Sequence, residues 1–185
     1  MAGMRAMRFK KALRGIGVGG FRLLLHLLAR GRVMSGPFAG MHYVRGSQGS
    51  VYNAKILGTY ESELHGIVVG FSGLRPARCI DIGAGEGYYA VGLARRLGVP
   101  VIAYELDETA HPMLERMVQR NRVQDRVELR GGCTPELLAR DLASTRGTVL
   151  VVCDVEAYER ILLDPVQRPA LRSAHLLVEI HDCIE

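Results

Sequence analysis

The sequence contains no tryptophan, and aromatic residues make up only 6% of its 185 positions. A broad aromatic platform for stacking nucleic-acid bases is therefore not expected. No stretch approaches the ~20 uncharged apolar residues that a membrane span requires. The best run, residues 21–29, is interrupted by Arg22 and His26. A secretory leader fits poorly as well, because Arg30 and Arg32 follow that run where small residues should mark a cleavage site. The four cysteines, Cys79, Cys133, Cys153 and Cys183, form no C-x-x-C pair and no zinc-finger spacing with histidine. They read as reduced thiols of a cytoplasmic protein. Glycine is abundant, at 22 residues, but without the three-residue repeat of collagen.

A further absence is local. Residues 1–60 hold ten Lys and Arg and not one Asp or Glu, whereas residues 61–185 hold 14 Lys and Arg against all 19 acids. The formal charge of +5 therefore hides a basic block and an acidic remainder. Residues 1–50 read as a basic N-terminal extension, irregular or marginally helical, with Leu23, Leu24, Leu27 and Leu28 on one helical face and a loop over 46–50. Clustered Arg and Lys suit a peripheral contact with an anionic membrane surface. A nucleic-acid partner is disfavoured, since aromatics are not interleaved with the basic residues.

What is present from residue 51 onward is a single domain's worth of alternating pattern. Hydrophobic residues at 48% and charged residues at 23% are globular values. Ile56, Leu57, Tyr60, Leu64, Ile67, Val68 and Phe71 predict a leading helix over 55–72. Strands follow at 78–82, 99–104, 126–129, 148–153 and 176–180, with helices at 87–97, 109–121, 135–142 and 156–163. Continuous apolar strands alternating with helices predict a Rossmann-like α/β fold, a mostly parallel sheet of five strands covered on both faces.

The chemically informative stretch is Cys79-Ile80-Asp81-Ile82-Gly83-Ala84-Gly85-Glu86-Gly87-Tyr88-Tyr89, a strand, a glycine-rich turn and a helix. Such a turn lets a ligand approach the backbone and the helix N-terminus. Gly85-x-Gly87-x-x-Ala90, with Glu105 some way downstream, matches the permissive dinucleotide fingerprint and keeps an NAD-type oxidoreductase open. Asp81, two residues before Gly83, points elsewhere. A carboxylate there would repel a pyrophosphate, and it suits a cofactor that carries an ammonium and no phosphate.

In these residues the sequence resembles the class I S-adenosylmethionine-dependent methyltransferases, whose first motif reads acid-x-Gly-x-Gly-x-Gly. The segment Cys153-Asp154-Val155-Glu156-Ala157-Tyr158-Glu159 is similar to the D-V-E-G-x-E segment of FkbM-like members, and Leu177-Val178-Glu179-Ile180-His181-Asp182 to the strand that follows it there. The resemblance covers residues 78–182. It implies S-adenosylmethionine as cofactor and methyl transfer, commonly to oxygen of a small molecule or sugar. Asp81, Gly83, Ala84, Gly85, Gly87 and Tyr88 would hold its methionine part, Glu105 the ribose hydroxyls, and Cys133, where many members have an acid, the adenine. Asp154 would orient the sulfonium or the acceptor hydroxyl, and Glu156 would assist it or simply start a helix. Asp154, Glu156, His181 and Asp182 share the carboxyl edge of the sheet and could take a divalent metal, but their spacing matches no metal-ligand motif, and no metal is expected. Tyr60, Glu61 and His65 would cover the cofactor mouth. His26, His42 and His111 read as structural. Family members usually add two more strands beside the fifth, so the outer edge of 176–180 is expected to be open and to support a homodimer.

Overall fold

The computed structural model describes residues 18–45 and 51–181. Residues 1–17, the loop over 46–50 and residues 182–185, with Asp182 and Cys183 among them, lie outside the described residues.

Five parallel strands form one sheet in the order β3-β2-β1-β4-β5. They are β1 (Arg78–Ile82), β2 (Val101–Tyr104), β3 (Val127–Arg130), β4 (Val149–Cys153) and β5 (His175–Val178). The three central strands are buried nearly throughout, as near-continuous apolar sequence requires when both faces are covered. Alternation then divides the strands between two cores. Cys79, Val101, Ala103, Leu150 and Val152 face one, while Ile80, Ile82, Ile102, Val151 and Cys153 face the other.

In chain order the α-helices are α1 (Val18–Leu28), α2 (Tyr52–Leu57), α3 (His65–Leu74), α4 (Tyr88–Leu97), α5 (His111–Asn121), α6 (Pro135–Ser144) and α7 (Glu159–Leu162). A 3₁₀ turn, Pro169–Ser173, precedes β5. Thr134 caps α6 by accepting from the Leu137 N–H, with Pro135 next to it, the arrangement that Thr-Pro favours at a helix start. α1, α2, α4 and α5 contribute to the first core, and α6, α7 and the 3₁₀ turn to the second.

Several elements depart from the sequence expectations. The leading helix over 55–72 is broken in two. Gly58 ends α2 in the left-handed conformation, and a Cβ there would lie 2.0 Å from the Ser35 carbonyl oxygen. The close approach of residue 35 needs glycine, and it overrides the apolar stripe. The leucine face of α1 is turned the other way: Leu25, and Ala29 just past the helix, are buried, while Leu23, Leu27 and Leu28 are exposed. The helix expected from residue 156 begins only at Glu159, because Glu156 and Ala157 take positive φ of 47° and 75°. β5 starts one residue early and stops two residues short of 180.

The described part of the basic segment belongs to the first core. Val33, Phe38, Met41, Tyr43 and Val44 are buried, and an isolated antiparallel bridge joins Arg32 to His42. The Phe38 ring packs on Gly92 of α4, where a Cβ would stand 2.6 Å away. Among the described residues no helix is long and apolar enough to cross a membrane.

Candidate functional site

The strand order reverses direction between β1 and β4, and the loops leaving their carboxyl ends meet there. In open α/β sheets this is where ligands bind. The Asp154 N–H donates to the Ile82 carbonyl at 2.9 Å. Gly83, with φ of 82°, lies so near that a Cβ would fall 1.8 Å from the Asp154 oxygen. Only glycine can join these two loops. Beyond them opens a cavity of about 1220 Å³.

The expected site residues Asp81, Gly83, Ala84, Gly85, Tyr88, Glu105, Cys133, Asp154 and Glu156 all line this cavity. Gly87 does not. It stands at the start of α4 with φ of 91°, and a Cβ there would press on Leu114 at 3.0 Å. Its role is to bring α4 against α5.

Asp81 is 3% exposed, and its Oδ2 has no hydrogen-bond partner. Burial pushes its carboxyl up to about 7, and the nearby Glu105 and Asp154 carboxylates add to this. Glu105 reaches back under the glycine turn: the Gly85 N–H donates to its Oε2 at 2.6 Å, and the Asp107 N–H to its Oε1 at 2.7 Å. The Cys133 thiol is pushed up to about 12 by burial and is neutral.

At the far end, Asp154 stands half-exposed at the cavity wall. Burial raises its carboxyl above the usual range, partly offset by His181. His181 Nε2 lies 3.7 Å from Asp154, 3.8 Å from Glu179 and 4.0 Å from Glu156. Its Nδ1–H donates to Glu159 Oε1 at 2.9 Å. That bond raises the imidazole above its ordinary value. The same Glu159 Oε1 also accepts from the Val155 N–H at 3.2 Å, which helps to fix that carboxylate. The Asp154, Glu159 and His181 ligand atoms lie within 4.8 Å of one another. Glu156, by contrast, lines the cavity with a side chain that is 92% exposed.

Sequence reasoning missed a second group. Glu86, inside the glycine turn, is 1% exposed. Lys55 Nζ pairs with it at 2.6 Å, and Tyr43 O–H donates to the same oxygen. Burial pushes the Glu86 carboxyl up, but these two partners win and hold it below the usual range. Lys55 also lies 4.9 Å from the Tyr60 ring and 5.6 Å from the Tyr88 ring. Glu61, which accepts from Tyr89 O–H, lines the mouth with Tyr60. His65 does not line it; its Nε2–H donates to the Tyr60 carbonyl at 3.0 Å. His26 pairs with Tyr52, and His111 donates to the Glu105 carbonyl.

The net result is electrostatic. Among the described residues, nine carboxylates line the cavity, and Lys55 is its one cationic side chain.

No family model matches the chain, and no curated protein does. Solved structures do. A hypothetical protein of Thermus thermophilus is 16% identical, covers 80% of this chain and 84% of its own, with a TM-score of 0.52. An O-methyltransferase from Bacillus cereus in complex with SAH is 20% identical over 58% of this chain and 50% of its own, at 0.44. An RNA methyltransferase from Salinibacter ruber in complex with S-adenosyl-L-homocysteine is 18% identical over 60% and 69%, at 0.43. The chain spans about half the length of several structures that it matches. At these identities what is shared is the Rossmann-like α/β fold.

Proposed function

We propose that this chain is a class I S-adenosylmethionine-dependent methyltransferase that methylates oxygen of a small molecule or sugar. The observation that carries this reading is the charge of the cavity, nine carboxylates to one ammonium. A dinucleotide would press its pyrophosphate on the 83–87 turn, beside Asp81 and Glu105. Like charges in a partly dry site repel strongly. A ligand bearing an ammonium and a sulfonium, with no phosphate, is drawn in.

The residues fit such a ligand. The unpartnered Oδ2 of Asp81 is the acceptor that an ammonium group needs. Each Glu105 oxygen accepts one backbone N–H and keeps a lone pair for one of two ribose hydroxyls. Gly83, Ala84, Gly85 and Tyr88 would flank the amino-acid part, and Cys133 with Leu106 the adenine. When bound, the cofactor supplies an electrophilic methyl carbon.

The chain's own residues hold the acceptor and move its proton. Asp154, raised by burial, is a stronger base than an ordinary carboxylate and is placed at the cavity wall. His181 in its neutral form, aimed by Glu159, can take the proton onward at Nε2. An acidic cavity favours neutral or cationic acceptors and disfavours phosphorylated ones. Ala157, where FkbM-like sequences carry Gly, keeps a glycine-like φ of 75°, which supports the finer resemblance. The free thiols Cys79, Cys133 and Cys153 suit a cytoplasmic location. β5 pairs with β4 on one side, and we propose its outer edge, with Leu176 44% exposed, as a surface for homodimer formation.

Incubating the protein with methyl-labelled S-adenosylmethionine and cell extract tests the activity. A labelled product stable to protease and nuclease supports a small-molecule acceptor. Label confined to RNA or protein refutes it.

A further inference from the structure

α1 is inverted relative to an ordinary surface helix, which turns its apolar stripe inward and its polar face to water. Its polar side chains point inward instead. His26 is 8% exposed with Nδ1 2.6 Å from Tyr52 Oη, and Arg22 lies over the Tyr52 ring with its carbon 5.9 Å from the centroid. The outward face is Phe21, Leu23, Leu27 and Leu28, exposed by 41, 43, 59 and 69%. A contiguous apolar patch of this kind marks an interaction surface.

The neighbourhood is cationic. Arg45, Arg116 and Arg120, with His26 and Val44, line a shallow cavity of about 350 Å³ beside α1. Burial, then Arg45 and Arg120, push the His26 imidazole down, and His42 is lowered by burial and by four arginines, Arg120 among them. Arg30 and Arg32 follow α1 directly and are exposed. Glu115 is the one acid beside this group on α5, and residues 1–60 contain none.

We propose that this face docks on an anionic lipid surface, with Leu23, Leu27 and Leu28 entering the interfacial layer and the Arg45–Arg116–Arg120 cavity taking a lipid phosphate. The combination of the two features selects this occupant. A nucleic acid would satisfy the arginines but leave the leucines in water. A second copy would cover the leucines but bring two arginine clusters together, which like charge opposes. A bilayer interface satisfies both, as it does for basic amphipathic helices in general. The inference does not depend on the reaction proposed above.

The test is co-sedimentation of the full chain with vesicles of phosphatidylglycerol and phosphatidylcholine, against phosphatidylcholine alone, at ~0.1 M salt, where charge screening is moderate. Binding is expected to the anionic vesicles only. Arg116→Glu/Arg120→Glu should weaken it by at least about 25-fold, roughly fivefold per arginine removed. Leu27→Glu/Leu28→Glu, both at exposed positions, should weaken it by about tenfold or more while leaving thermal melting unchanged. The proposal is overturned if no vesicle binds. It is overturned equally if the leucine variant binds as wild type, which would mean simple polyanion attraction, or if that variant instead dissociates a dimer seen by light scattering.

Discussion

Replacing Asp81 with asparagine isolates a buried carboxyl whose ionisation the fold opposes. A carboxyl held at about 7 in the folded chain, against about 3.9 in the unfolded one, keeps its proton more tightly when folded. The stability this gives is fully present below pH ~4 and is lost as pH rises through about 7. Linkage puts the loss between pH 5 and pH 8 at about 2–3 kcal/mol, and the ionised carboxylate at pH 8 costs about 4 kcal/mol relative to its protonated form. The asparagine side chain cannot ionise, though its amide would bury one unpaired donor at about 1–3 kcal/mol. The variant should therefore match or fall below wild type at pH 5 and exceed it by about 1–3 kcal/mol at pH 8. Urea unfolding of both proteins at pH 5, 6, 7 and 8 measures this. A stability difference that does not change with pH would show that Asp81 is not held in the state described. The same variant, more stable when empty, should bind S-adenosylhomocysteine more weakly, because the burial strain in wild type is what the ligand's ammonium relieves.

Lys55→Met removes the cation paired with the buried Glu86 and should destabilise the protein by about 3–5 kcal/mol, with Lys55→Met/Glu86→Gln recovering most of it; additive losses in chemical denaturation would refute the coupling. Deleting residues 1–45 removes Val33, Phe38, Met41 and Tyr43 from the first core, each worth about 1.5–3 kcal/mol, so the remainder should show no cooperative melt; a sharp transition would mean that this segment is dispensable. Ala157→Gly should raise stability by about 0.5–1 kcal/mol by relieving the left-handed φ, and a lower melting temperature would argue against that conformation. His181→Gln should lower kcat by about 100-fold and remove the rise in rate through the histidine's raised pKa, leaving cofactor affinity unchanged. An unaltered pH–rate profile would take His181 out of the proton path.

The sheet was legible because its central strands are buried on both faces and therefore carry uninterrupted apolar sequence. The acids Asp81, Glu105 and Asp154 were legible for a related reason: Asp81 is the last residue but one of such a strand, the other two directly follow one, and parallel strands deliver their carboxyl ends to one edge. The Lys55–Glu86–Tyr43 group was not, since Lys55 and Tyr43 lie 31 and 43 residues from Glu86 and nothing local links them. A glutamate inside a glycine turn, buried on folding, could have signalled a need for a distant cation. Periodicity in α1 revealed that a leucine face exists but not which way it turns. In the region of Glu156, helix propensity favoured an early start, and the tertiary turn at 156–157 delays the helix to Glu159.

The central claim is that an acidic cavity at the β1–β4 edge binds a cationic, phosphate-free nucleoside cofactor. Calorimetric titration of the full chain with S-adenosylhomocysteine and separately with NAD tests it most directly. Saturable one-to-one binding of S-adenosylhomocysteine is expected, weakened by about 1–3 kcal/mol in Asp81→Ala and in Glu105→Ala, with no heat from NAD. Saturable NAD binding with none for S-adenosylhomocysteine, or affinity untouched by both substitutions, would contradict it.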